Sequence, residues 1–146
     1  MTATGYSHLA GTELPAGAFT IPADENAQVA RIAGDEPLGN GLAHELYAYV
    51  ANQRGIGISV AELLALADFD MADGPMLGAC RLEYGEAPLR VGVPYEVRGE
   101  ILDVTRKQGR SGTFDVLRFR ERLVDGDGAE AAAVTNTFIL PRRSES

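Results

Sequence analysis

This chain of 146 residues holds one cysteine, no tryptophan, two histidines and, among thirteen basic residues, a single lysine. The lone Cys80 cannot form an intramolecular disulfide or a cysteine-rich metal site, so nothing requires an oxidising compartment. No metal is expected. Positive charge is scarce against 21 acidic residues, leaving a formal net charge of −8. That shortage argues against a nucleic-acid partner, whose phosphates are neutralised by Lys and Arg, and leaves no basic stripe for an anionic membrane surface. No run approaches the roughly 18 consecutive apolar residues of a membrane span, and no charged segment followed by an apolar one opens the chain. A soluble, cytoplasmic protein without a membrane partner is therefore expected. What is present is ordinary globular composition, 45% hydrophobic and 23% charged, in a length suited to one domain over residues 1–146, with residues 1–10 and 142–146 flexible.

Residues 1–16 read as an extended arm that becomes ordered only near Leu14. Gly17 to Ile21 is β-prone and stopped by Pro22, which cannot donate to a ladder. A helix then opens with Asp24 and Glu25 in its first turn, where the helix dipole favours acids. Residues 34–41 form a loop on their glycine and proline content. Leu42, Leu46, Tyr49 and Val50 fall at helical spacing, predicting a little-exposed helix over residues 42–54. Ser59, with Glu62 three positions on, predicts the capped start of another. From Met76 the pattern turns to strands, over residues 77–84, 93–104, 113–124 and 131–140, with turns at 107–112 and at Asp125-Gly126-Asp127-Gly128. This order predicts an α+β fold: an antiparallel meander curled around one central helix.

Several of these segments resemble the MaoC-like hydratases and dehydratases. They are Gly11-Thr12-Glu13-Leu14-Pro15, Phe19-Thr20-Ile21, the acid-started helix ending Ala33-Gly34-Asp35, and Gly41-Leu42-Ala43-His44. Ala87-Pro88-Leu89-Arg90-Val91-Gly92, followed by residues 95–101, is similar to that family's turn and long strand. The resemblance implies a single hot-dog domain, usually dimeric, acting on acyl thioesters. The thioester of coenzyme A or acyl carrier protein would be substrate, and no further cofactor is expected. Partners would be a second copy of the chain or another hot-dog subunit; exposed edge strands and the prevalence of two-fold symmetry agree with that.

The family's active loop has the form G-D-x-N-P-x-H, in which a carboxylate and an imidazole polarise one water and exchange a proton at the neighbouring carbon. Here Gly34-Asp35 is kept, but the position five after Asp35 is Asn40, whose amide cannot shuttle a proton near neutral pH. The resemblance therefore implies Asp35 as the acid/base, with His44 as a displaced substitute. Asn40, Gly41 and Glu45 are the candidate substrate-binding residues, the Glu45 backbone N–H facing a developing oxyanion. Three functions stay open. One is a 2-enoyl thioester hydratase or 3-hydroxyacyl dehydratase. Another is a non-catalytic subunit shaping the acyl site of a catalytic partner, and a third is an acyl-CoA thioesterase.

Each candidate also has a plainer role. Asp35 suits a turn, His44 a packed and hydrogen-bonded core position, Asn40 a helix cap or loop, and Glu45 a helix N-terminus. His8 is expected in solvent and Cys80 as a small buried hydrophobe. Arg118, Arg120 and Arg122, sharing one strand face, read as the solvated side of a half-buried strand. Asp35 and His44 lie nine positions apart, with His44 expected about one turn into the helix. A tight turn at residues 37–39 would fold Asp35 back onto it; otherwise Asp35 faces solvent alone.

Overall fold

A computed structural model of the protein describes residues 5–142. Residues 1–4 and 143–146, within the two ends expected to be flexible, lie outside the described residues. Five strands, β1 (Gly17–Thr20), β2 (Met76–Tyr84), β3 (Pro94–Gly109), β4 (Gly112–Val124) and β5 (Glu130–Arg142), form one antiparallel sheet in the order β1-β3-β4-β5-β2. The helices are α1 (Ala23–Ile32), α2 (Tyr47–Gly55) and α3 (Val60–Leu66). The expected α+β class and the four long strands are all there.

The meander is made by β3, β4 and β5 alone. β2 does not neighbour β3, as a four-strand meander would require, but crosses to the far edge and pairs with β5. Local turn chemistry explains the hairpins. At the β4–β5 turn, Asp125 Oδ1 accepts from the N–H groups of Asp127 and Ala129, each at 2.9 Å. The β3–β4 turn is tighter than expected: Gly109 still pairs with Gly112, leaving Arg110 and Ser111 as a two-residue loop. Gly112 sits at φ +120°, a region L side chains rarely adopt.

The N-terminal arm is ordered earlier than expected. Ser7–Leu9 forms a short 3-10 turn, and the Gly11 N–H donates to Ile101 O at 2.8 Å. At the other end, Arg142 belongs to β5, and its guanidinium is fixed by Asp115 at 2.8 Å. Both anchors are non-local, which is why the polar composition of the ends did not reveal them.

The helix expected from residue 42 begins only at Tyr47. Leu42 instead bridges Arg90, the Ala43 N–H donates to Leu89 O at 2.8 Å, and the Val91 N–H donates to Gly41 O at 2.9 Å. This stretch is committed to pairing with the loop before β3 and cannot coil. At α3 the expected cap is in place: the Glu62 N–H donates to Ser59 Oγ at 3.1 Å, and the Ser59 hydroxyl donates to Glu62 Oε1 at 2.9 Å.

The inward face of the sheet carries two apolar clusters. One gathers Tyr47, Ala48 and Ala51 of α2 with Tyr95, Val97, Leu123 and Ala132. The other gathers Leu63 and Leu64 of α3 with Ile101, Leu117, Phe119 and Leu140. β2 is covered on neither face. Cys80, expected to be buried, is consequently exposed.

Candidate active site

The end of α1 places Asp35. Gly34 takes φ +83°, which lets its N–H return to Arg31 O at 3.0 Å and the Asp35 N–H to Ala30 O at 2.8 Å. This is a Schellman stop, and glycine is the residue that reaches its left-handed position without strain. Asp35 is thus a turn residue, as its composition suggests, and the turn aims its carboxylate at the segment leading into α2.

His44 lies in that segment, three residues before α2 rather than inside it, and is buried. Its backbone N–H donates to Asn26 Oδ1 at 2.7 Å, and Asn26 is itself buried on α1. The Leu46 N–H donates to His44 Nδ1 at 3.1 Å. A ring nitrogen that accepts carries no proton, so the imidazole proton sits on Nε2. Nε2 faces Asp35 Oδ2 at 2.7 Å, which makes His44 the donor and the carboxylate the acceptor. Asp35 and His44 therefore meet, but through the reversal at Gly34 and not through the tight turn expected at residues 37–39, which the structure lacks. The His44 side chain is 8% exposed and that of Asp35 60%, so the carboxylate is the member that meets solvent.

A second clamp holds α1 against α2. The Tyr47 hydroxyl and Arg54 Nη1 each donate to Glu25 Oε2 at 2.6 Å. Burial, then the hydrogen bond to Glu25, pushes the Tyr47 phenol up to about 12. The elements carrying Asp35 and His44 are thereby tied together from both sides.

Next to the pair opens a cleft of about 250 Å³, with Leu38, Leu42, Ala43, Glu45, Tyr84 and residues 85–89 in its walls. Ala43 and Glu45 are the chain neighbours of His44, so the cleft begins beside the pair rather than around it. The Tyr84 hydroxyl donates to Glu45 O at 2.7 Å, binding β2 to the turn. The Glu45 N–H has no acceptor among the described residues. Of the three residues expected to bind substrate, Glu45 alone lines the cleft. Asn40 adopts φ +62° in an exposed turn, its carbonyl accepting from Arg90 Nη1 at 3.2 Å. Gly41, also exposed, spends its carbonyl on Val91. Asn26 escaped the sequence reading, although a polar residue one turn before Ala30, on α1's inward face, was its visible signal.

The remaining candidates are structural. Arg118 pairs with Asp103, Arg120 lies 4.0 Å from Glu83, and Arg122 lies 3.7 Å from Glu130, all on the outer face of β4. His8 is exposed. Among the described residues no group of three His, Cys, Asp or Glu could hold a metal ion, and no helix is long and apolar enough to cross a membrane.

No family model matches the sequence, and no curated protein matches it. Solved structures do match. The ChsH1-ChsH2 complex from Mycobacterium tuberculosis aligns at TM-score 0.68 and 15% identity, over 97% of this chain and 89% of that one. The MaoC-like dehydratase from Rhodospirillum rubrum aligns at TM-score 0.63 and 13% identity, over 93% and 94%. The chain has a hot-dog fold. A third match, the HadBC (3R-hydroxyacyl-ACP dehydratase) complex from Mycobacterium tuberculosis, aligns at TM-score 0.56 and 16% identity, over 90% and 96%. In this hot-dog domain α2 is the helix that the sheet wraps, and Asp35 and His44 stand at its start.

Proposed function

We propose that this hot-dog chain is an acyl-thioester hydratase or dehydratase in which Asp35 moves the proton and His44 holds it in position. The observation that carries this is the 2.7 Å contact between His44 Nε2 and the exposed carboxylate of Asp35. The His44 donor occupies Oδ2 and leaves Oδ1 free for a water. In hydration of a 2-enoyl thioester, Asp35 takes a proton from that water as its oxygen bonds to C3. The electron pair of the double bond moves onto the thioester oxygen, facing the free Glu45 N–H. Asp35 then delivers the proton to C2, so that one water has added across the double bond. Dehydration is the same path reversed. The steps use these groups and a thioester of coenzyme A or acyl carrier protein; Leu38, Leu42 and Leu89 give the adjoining cleft an apolar wall for the acyl chain. Two structural neighbours named as dehydratases point the same way.

The test is hydration of crotonyl-CoA by the purified chain, followed as loss of the enoyl absorbance. Asp35→Asn is expected to lower kcat by about 10²–10⁴-fold, the usual range for a general acid–base group, with the fold unchanged because the side chain is exposed. Full activity in Asp35→Asn overturns the assignment.

β2 supports a partner of the same fold. It is an edge strand uncovered on both faces, with Met76, Leu77 and Tyr84 about half exposed. A long open edge of this kind is a template for another strand, and two of the aligned structures are complexes of hot-dog proteins. The second subunit is either another copy or a relative; in the latter case this chain shapes the acyl site and its partner carries the chemistry. Activity that appears only after adding such a relative selects that second reading.

A further inference from the structure

Between the two apolar clusters lies a layer of polar side chains that the chemistry above does not use. Glu121 on β4, Asn136 on β5 and Asn52 on α2 are each 1% exposed. Glu121 Oε2, both polar side-chain atoms of Asn136, and Asn52 Oδ1 have no hydrogen-bond partner among the described residues. Glu121 and Asn136 share the inward face of the sheet. Glu121 stands opposite Val134, and Asn136 is one row further along, opposite Phe119. On the buried side of α2, Asn52 follows Ala48 by one helical turn and donates from Nδ2 to Ala48 O at 2.9 Å. Ala48 belongs to the same apolar cluster as Leu123 and Ala132, the row on the other side of Glu121.

We propose that Glu121 is a proton-operated latch: in its neutral form the layer accepts α2 and the Asp35–His44 site at its start, and loss of its proton loosens both. An ionised carboxylate here would be 1% exposed and without a cation among the described residues, which is costly enough to move structure. No charge nearby relieves it. Gly99 faces it from β3, Leu14 from the N-terminal arm, Val134 and Asn136 from β5, and Asn52 belongs to the buried side of α2. The ionisable groups on the same sheet face are Cys80, Tyr84, Tyr95, Arg106, Asp115 and Arg142, and both arginines pair with Asp115. Tyr47 on α2 is engaged by Glu25. Burial alone accordingly pushes the Glu121 carboxyl up to about 8. The path to the site is short, because the Ala48 N–H donates to Glu45 O at 3.2 Å and Glu45 follows His44 directly.

The sign follows from proton counting. The folded chain keeps a proton on Glu121 that the unfolded chain releases above the ordinary carboxylate range, so this contribution to stability falls as pH rises toward 8 and then levels off. The experiment compares the full chain with Glu121→Gln, an uncharged isostere, in urea titrations from about pH 5 to about pH 9 at fixed protein concentration. The expected result is a wild-type folding equilibrium that weakens roughly tenfold per pH unit relative to the variant up to about pH 8. Above that point the α2 amides of the wild type should exchange faster than those of the variant. Parallel pH profiles overturn the proposal. Should Glu121→Gln fail to fold, the carboxyl carbon of Glu121 in the wild type is titrated by NMR, and an ordinary carboxylate midpoint in the folded chain overturns it equally. The latch gives meaning to the active-site reading, but no thioester enters these measurements, so each can fail without the other.

Discussion

Asp115 and Glu121 occupy the same strand, the same inward face and nearly the same burial, 0% and 1% exposed, yet they are held in opposite states. Burial alone would raise Asp115, but hydrogen bonds and charge from Arg106 and Arg142 outweigh it and hold the carboxyl below its usual value. Arg106 meets Oδ1 at 2.9 Å and Arg142 meets Oδ2 at 2.8 Å. Glu121 has burial without either cation and is raised. Depth in the core therefore does not decide ionisation; the partners that share the depth do. The two ends of the sheet differ accordingly. Around Asp115 the buried charge is a structural joint, and beneath α2 the unanswered carboxyl is a point of weakness.

The sharpest way to break the contrast is to make Asp115 resemble Glu121. Arg142 binds Asp115, donates from Nη1 to Asp68 O at 2.9 Å and to Ala67 O from Nη2, and lies over the rings of Tyr6 and Phe69 at 5.0 and 5.5 Å. Arg142→Met keeps the bulk and removes every one of these interactions. Arg106 still pairs with Asp115 in this variant, so a loss of about 2–3 kcal/mol is expected in urea unfolding, the scale of hydrogen bonds to a charged group rather than of a wholly unpaired one. The converse change at the other end should have the opposite sign. Glu121→Met removes a buried acceptor that nothing satisfies, and a gain of about 1–2 kcal/mol at neutral pH is expected. A destabilised Glu121→Met would mean that its carboxyl has a partner after all.

The same contrast bears on what the sequence made readable. The face shared by Arg118, Arg120 and Arg122 left Leu117, Phe119 and Leu123 for the other side of β4, and the Asp125 turn followed from local chemistry. Glu121 falls on that apolar side too, a visible anomaly that the arginines opposite it concealed. The start of α2 and the edge position of β2 were unreadable, because they depend on residues 41–43 meeting residues 89–91 and on β2 finding β5. Cys80 went wrong for that reason. At the site, Asp35 and His44 were named by resemblance and Gly34 announced the turn, but their contact rests on Asn26 and the Leu46 N–H, which only the fold brings to His44.

The smallest effect concerns the acid limb of stability, where the two carboxyls should part. A carboxyl held below its ordinary value contributes stability that is present above the unfolded value of 3.8 and is lost as pH falls through the folded one. Asp115 should therefore weaken the wild type only in strong acid, while Glu121, already protonated there, contributes no slope. Asp115→Asn keeps an acceptor for one arginine and removes the titration. Its urea midpoint should be lower than wild type at neutral pH, and the gap should narrow as pH falls below about 4. Glu121→Gln should show no such convergence over that range, its departure from wild type growing instead toward alkaline pH. A constant gap for Asp115→Asn across the acid limb would mean that Arg106 and Arg142 hold residue 115 through packing and neutral hydrogen bonds, and the charge contrast along β4 would fail.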